Sequence, residues 1–419
     1  MKRKFYINNR QRLLDSIDDK KCVVILSSGQ LVNKSADEDY PFQVNTNFYY
    51  LTGIVQENTI LVLIKDDDVC YELIYADKPN DFHEKWLGHQ LTKKEIKEIS
   101  GVLVKNTFYV DDFKNDLEIL TKDRTVYLDL EQKPNKYYTS FGLELKEKLI
   151  DKHEIKDVYD NIITLRGSKQ KEEIEHLKKA IDTTKKGIEC LMENARPGMY
   201  EYQLEAYFDF TIKQDGNKDF SFKTIAASGI NATTLHYSAN DSIIKDGDLV
   251  LFDLGCKDEY YCADISRTIP ANGKFSDLQK IIYNIVLEAN KKIIKVAKAG
   301  MTLRELQKIC VDSLASGCLK AGLIKDAKDI RKYYYHGVSH MIGLDTHDPF
   351  IYKKDTPLPV GAVISDEPGL YFKEYGIGVR IEDDLYLTKT KAINLSSSII
   401  KEIEDIEKFM EKGKRSWML

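Results

Sequence analysis

Residues 248–268, DLVLFDLGCKDEYYCADISRT, and residues 361–387, GAVISDEPGLYFKEYGIGVRIEDDLYL, share one plan: a strand-like apolar run, a short polar turn and a second strand-like run. Acids sit inside runs that otherwise read as buried. A hairpin turning at Asp258-Glu259 sets residues whose numbers sum to 517 face to face, so Asp253 is expected opposite Asp264. A turn at Glu374-Tyr375 puts Glu367 opposite Glu382 by the same arithmetic. Directly opposed side chains sit about 5 Å apart at Cβ, where like charges repel unless something positive lies between them. Asp and Glu ordinarily face solvent. Asp253, however, follows the apolar run Leu249 to Phe252, where an unpaired carboxylate is very costly. Two such pairs at equivalent places point to a cation site.

Those four carboxylates carry −4, which two divalent cations would balance. Oxygen-rich donors suit hard or borderline ions such as Mn2+, and one added histidine leaves room for Mn2+, Co2+ or Zn2+. Two metals about 3.5 Å apart can share a hydroxide, lower its pKa and polarise a carbonyl, which is hydrolase chemistry.

The hairpins close two copies of a longer pattern. ENARPGMYEYQLEAYFDF (193–210) resembles VAKAGMTLRELQKICVDS (296–313): a long amphipathic helix stops at Gly198 or Gly300 within A-x-x-G-M, and a second helix follows. A duplicated α/β half explains the echo. The first long helix lies in RGSKQKEEIEHLKKAIDTTKKGIECLMENARPGM (166–199). There Ser168 is the expected N-cap, Glu172 and Glu173 suit the positive end of the dipole, and Ile174, Leu177, Ile181, Ile188 and Leu191 form one stripe. Upstream, strand-like KCVVILSSG, NTILVLIKDD, CYELIYAD and TVYLDLEQ mix with helix-like NNRQRLLDSID, TKKEIKEIS and GLELKEKLID, predicting a smaller α/β domain. The boundary is expected just before the long helix, near residue 160, dividing the chain into domains 1–158 and 159–419.

Composition agrees with a globular protein, at 42% hydrophobic and 31% charged residues over 419 positions. The net charge of −5 gathers into no block, which argues against nucleic acid or an anionic membrane as the main partner and for a small substrate. The basic start lacks an apolar h-region and no run of about 18 apolar residues occurs, so a cytoplasmic protein is expected. The seven cysteines are scattered without a C-x-x-C pair, as reduced core thiols would be.

HGVSHMIGLDTHDP (336–349) holds three of the eight histidines. Together with Asp253, Asp264, Glu367 and Glu382, and with SDEPGLY (365–371) and GIGVRIEDD (376–384), it resembles the pita-bread metallopeptidases of family M24, among them methionine aminopeptidase, prolidase and aminopeptidase P. SADEDYPFQVNTNFYYLTG (35–53) and HEKWLG (83–88) resemble the creatinase-like amino-terminal domain of the aminopeptidase P branch, a domain that methionine aminopeptidases usually lack. The resemblance implies a pseudo-twofold α/β catalytic domain in which His340 and Glu367 ligate one metal, Asp253 holds the other, and Asp264 and Glu382 bridge both. It makes His336 a border of a proline pocket and sets His347 near the scissile carbonyl. His236, in TTLHYSAND (233–241), becomes a substrate contact and Glu367 a proton shuttle. Arg380 would orient substrate or brace the pocket, while Met341 and Tyr371 read as packing. Subunits of such enzymes associate through the amino-terminal domain, and Trp86 is the candidate to approach a neighbour's active site in a homodimer or larger assembly. The implied activity is release of an N-terminal residue preceding proline. A prolidase is the alternative, and an inactive peptide-binding relative or a metal-free amidinohydrolase is disfavoured because all five ligand-type residues are present.

Overall fold

The computed structural model describes residues 1–130, 140–217, 219–351 and 355–416. The chain separates into two compact units, Met1–Arg166 and Gly167–Leu419.

In the first unit the apolar runs become a six-stranded sheet of β1 (Lys21–Ser27), β2 (Ile60–Asp66), β3 (Val69–Ala76), β4 (Thr107–Tyr109), β5 (Thr125–Leu128) and β6 (Ile155–Asp157), ordered β4-β3-β2-β1-β5-β6. β1 to β3 pair antiparallel, whereas β4, β5 and β6 join in parallel. Residues 22–26 and 60–64 are buried without alternation, as in strands covered on both faces. Helices Val110–Thr121 and Phe141–Leu149 pack Phe113, Leu120, Leu145 and Leu149 against Val23, Ile25 and Val62. The helix expected at NNRQRLLDSID begins earlier and spans Arg3–Asp15, and the last two residues of TVYLDLEQ lie outside the described residues. The short helix Asp81–Trp86 leaves Phe82 and Trp86 exposed, their rings 5.9 Å apart.

In the second unit, α1 (Lys171–Asn194) packs on α2 (Glu201–Gln214), and α3 (Asp277–Val296) on α4 (Leu303–Lys320). The echo is geometric as well. Each helix pair is joined by six residues, 195–200 and 297–302, and Gly198 and Gly300 take φ of 89° and 90°, a conformation that costs glycine little. Leu177, Ile181, Ile188 and Leu191 are buried as expected, with Ile174 half-buried. Ser168 is not the N-cap. Backbone 167–169 runs beside 360–361, with Lys169 N–H donating to the Gly361 carbonyl and Ser168 Oγ to the Val360 carbonyl, so Gln170 caps the helix, its N–H donating to Glu173 Oε2 at 2.8 Å.

Strands β7 (Ile225–Ser228), β8 (Leu249–Leu254) and β9 (Ile265–Pro270) form a sheet ordered β9-β8-β7. β10 (Val363–Asp366), β11 (Gly369–Phe372), β12 (Ile377–Arg380), β13 (Asp383–Leu387) and β14 (Ala392–Asn394) follow the second helix pair. They form a β10-β13-β14 sheet and a β11-β12 hairpin. One apolar core, including Ile181, Leu191, Val250, Val286, Leu314, Ile364 and Leu385, joins the helices to both sheets.

The first hairpin departs from its expected register. Asp253 faces Ser266, so facing residues sum to 519. The turn falls one residue later than the sequence suggests, at Glu259-Tyr260, which take φ of 50° and 69°. Two left-handed residues match the twist of paired strands even without the Asn-Gly signature that would announce them. The second hairpin has the expected register: Gly369 faces Arg380 and Asp366 faces Asp383 in the two flanking ladders, which sets Glu367 opposite Glu382 in the gap between.

Candidate metal centre

The corrected register still brings the first two acids together. Asp253 faces Ser266, and Asp264 lies two residues before Ser266 on the same face, a diagonal neighbour of Asp253. Gly255 permits this approach, because a Cβ there would fall 1.9 Å from the Ala263 carbonyl oxygen. The histidine segment is pinned to β10. Ser365 N–H donates to the His340 carbonyl at 2.9 Å, His340 N–H donates to Ser365 Oγ at 2.9 Å, and Met341 bridges Ile364. His340 Nδ1 donates to the Met341 carbonyl at 3.0 Å. Its Nε2 therefore turns to Asp264 Oδ2 at 3.3 Å and Glu367 Oε1 at 3.4 Å.

Donor atoms lie within 4.8 Å of one another in three sets: Asp253, Asp264 and Glu382; His340, Glu367 and Glu382; and Asp264, His340 and His347. All five expected ligand-type residues are thus gathered. His347, which the resemblance implies to be a substrate group, also has a nitrogen within ligating reach; it is exposed, and its ring centre is 4.3 Å from that of His340.

Burial pushes the Asp264 carboxyl up to about 6 and Glu367 up to about 7, and raises Glu382 well above the usual range, with mutual repulsion adding to each. Burial pulls His340 down, but its hydrogen bond to Asp264 and the nearby carboxylates outweigh that and raise it to about 9. This is a cluster with too little positive charge of its own. Buried carboxylates and an imidazole with Nε2 turned inward fit hard or borderline divalent metal ions.

Arg380 supplies the fixed positive charge. It is buried and donates from Nη2 to Asp253 Oδ2 at 2.6 Å, from Nε to Ser266 Oγ at 2.8 Å, and from Nη1 to Tyr371 OH at 3.1 Å. Ser266 Oγ lies 2.8 Å from Glu382 Oε2 and 3.1 Å from Asp253 Oδ1. Tyr371 is more than packing: its OH also meets His336 Nε2 at 2.8 Å, joining Arg380 to His336. Met341 is fully buried and packs as expected. Burial, then Arg380, lowers His336 to about 4, so this ring is neutral at pH 7. His347, although exposed, is lowered by partial desolvation and then by the nearby His340. His236 is exposed. Trp86 belongs to the first unit, where it is 74% exposed rather than packed in a core. Sequence reasoning missed Ser266 and the hydroxyl of Tyr371. Alternation from Asp264 points to Ser266, but no local pattern marks Tyr371 as polar.

The model of metallopeptidase family M24 matches residues 175–389, and that of the aminopeptidase P N-terminal domain matches residues 6–127. The Xaa-Pro aminopeptidase of Escherichia coli is 32% identical over 436 residues, covering 99% of each chain. Intermediate cleaving peptidase 55 of Saccharomyces cerevisiae is 28% identical, covering 97% of this chain and 84% of its own. Among solved structures, a zinc-substituted E. coli aminopeptidase P in complex with product matches with a TM-score of 0.91 at 31% identity, over 99% of both chains. A provisionally assigned aminopeptidase P from Bacillus anthracis matches with a TM-score of 0.95 at 45% identity, again over 99% of both.

Proposed function

The chain belongs to metallopeptidase family M24, and on that premise we propose that it is a Xaa-Pro aminopeptidase holding two divalent ions, Mn2+ foremost with Co2+ or Zn2+ as substitutes. The observation that carries this reading is the convergence of Asp253, Asp264, His340, Glu367 and Glu382. His340 and Glu367 would hold one ion, Asp253 the other, and Asp264 and Glu382 both. Such a pair supplies a hydroxide nucleophile near neutral pH and polarises a carbonyl. Glu367 takes the proton of the attacking water and passes it to the leaving nitrogen. His347 and His236 donate to the oxyanion that develops at the scissile carbonyl. His336, held by Tyr371, borders the proline ring, and Arg380 fixes Tyr371 and Asp253 in place. An X-Pro bond is a tertiary amide without N–H, so a pocket for its fixed ring replaces the donor that general peptidases use.

The same reading assigns catalysis to residues 159–419 and assembly to residues 1–158, with Trp86 reaching a neighbouring copy in a homodimer or larger oligomer; an exposed tryptophan beside the exposed Phe82 ring suits an interface. Unpaired cysteines suit a reducing cytoplasm, and among the described residues no helix is long and apolar enough to cross a membrane. The test is a mass-spectrometric digest by chelated protein reloaded with Mn2+. X-Pro-Y peptides should lose X, X-Ala-Y peptides should survive, X-Pro dipeptides should react more slowly, and Trp86→Ala should slow tripeptide cleavage without losing metal. Preference for the dipeptide with little tripeptide cleavage would make the enzyme a prolidase, and full activity after exhaustive chelation would remove metal from the mechanism.

A further inference from the structure

We infer that Glu201 is a positioning residue for the reaction, the anchor that presents His236 to the site. The inference rests on the reading of His236 as a substrate contact. Glu201 opens α2 and is fully buried, at 0% exposure. A carboxylate in such a place is tolerated only when its oxygens are well supplied with donors. Oε1 accepts from Ser228 N–H at 2.6 Å, Ser228 Oγ at 2.7 Å and Asn231 Nδ2 at 3.1 Å. Oε2 accepts from Tyr237 OH at 2.8 Å and Ser242 N–H at 3.0 Å. All five donors belong to residues 228–242, the segment that leaves β7, forms the turn Gly229–Thr233, carries His236 and returns. Charge-assisted bonds of this kind are stronger than neutral ones.

Among the described residues the His236 imidazole has no hydrogen-bond partner, so its position follows from its backbone, and Tyr237 next to it is tied directly to Glu201. The segment is gripped elsewhere at its turn. A Cβ on Gly378 would come 2.1 Å from the Ala232 carbonyl oxygen, and Tyr335 OH donates to the Thr233 carbonyl at 2.7 Å. Beyond His236, Lys223 Nζ donates to the Ser238 carbonyl at 2.6 Å and Asn240 is bonded to Ala226, Thr224 and Glu205. The bond from Tyr237 to the Glu201 carboxylate is the charged tie at the residue next to the histidine itself.

Two variants of the Mn2+-loaded enzyme test this. Glu201→Gln keeps size and one acceptor oxygen but sets an amide NH2 against Tyr237 and Ser242 N–H. Tyr237→Phe removes only the hydroxyl, with its bonds to Glu201, Asp241 and Ser242, and carries the test if the first variant folds poorly. Both should retain metal and KM within about twofold, while kcat falls about tenfold or more, because small misplacement of a catalytic group is costly. The deciding measurement is a double-mutant cycle: in the His236→Ala background, neither substitution should lower kcat further. Additive losses, or unchanged kcat in the single variants, would overturn the inference while leaving the function of His236 intact. A His236→Ala enzyme with undiminished kcat would instead refute the reading of His236, and the inference would fall with it.

Discussion

The rings of His340 and His347 lie together, yet their surroundings differ. His340 has one nitrogen spent on the Met341 carbonyl and the other between two acids, whereas His347 is exposed and shifted toward the neutral form. His340→Ala should therefore lose at least one bound ion, as metal analysis would record. His347→Ala should keep both ions and lower kcat about 10²-fold, the usual cost of one oxyanion donor. Because His347 also stands within ligating reach of Asp264, equal metal loss in the two variants would place it among the ligands. The donors were legible because acids inside apolar strands are conspicuous. Ser266 and Tyr371 were not, because a serine or tyrosine in a buried strand satisfies the same pattern whether its hydroxyl is used or idle.

At the scale of the element, the two hairpins differ in how much the sequence reveals. The second turns through residues 373–376 and ends on Gly376, at φ 60°, so a glycine marks its end and the register follows. The first turns on Glu259 and Tyr260, residues that rarely accept positive φ, and the turn-forming Asp258 draws the expected position one residue early. What keeps the acids adjacent despite that shift is Gly255. Its missing side chain lets the two strands close, and the atom it would strike is backbone, with no rotamer to yield. Gly255→Ala should lower stability by about 1–3 kcal/mol and weaken Mn2+ binding by spreading Asp253 from Asp264. Calorimetric titration with Mn2+ checks this, and an unchanged affinity would show that Gly255 does not set the spacing.

For the whole molecule, the strongly patterned runs disclosed an α/β first unit and a repeated second one. The parallel joining of β4, β5 and β6 was not visible, because neighbours in a parallel sheet are set by crossovers distant in sequence. The buried acids tie global stability to pH. Asp264 at about 6, Glu367 at about 7 and His340 at about 9 all hold protons more tightly when folded than when unfolded. Each contributes stability at low pH that is lost as pH rises through its folded value, so the Tm of chelated protein should fall between about pH 5 and 9. A bound Mn2+ ion would replace those protons, so the gain in Tm on adding it should grow over the same window. A gain that stays flat with pH would mean that these groups are not displaced by the ion. The matched turns at Gly198 and Gly300 bear on ancestry. The earlier copy contributes Asp253 and Asp264 and the later one His340, Glu367 and Glu382, so neither copy holds the whole set. An ancestral chain with one copy could have completed such a centre by pairing with a second copy of itself, and fusion of the two genes would have made that pairing permanent.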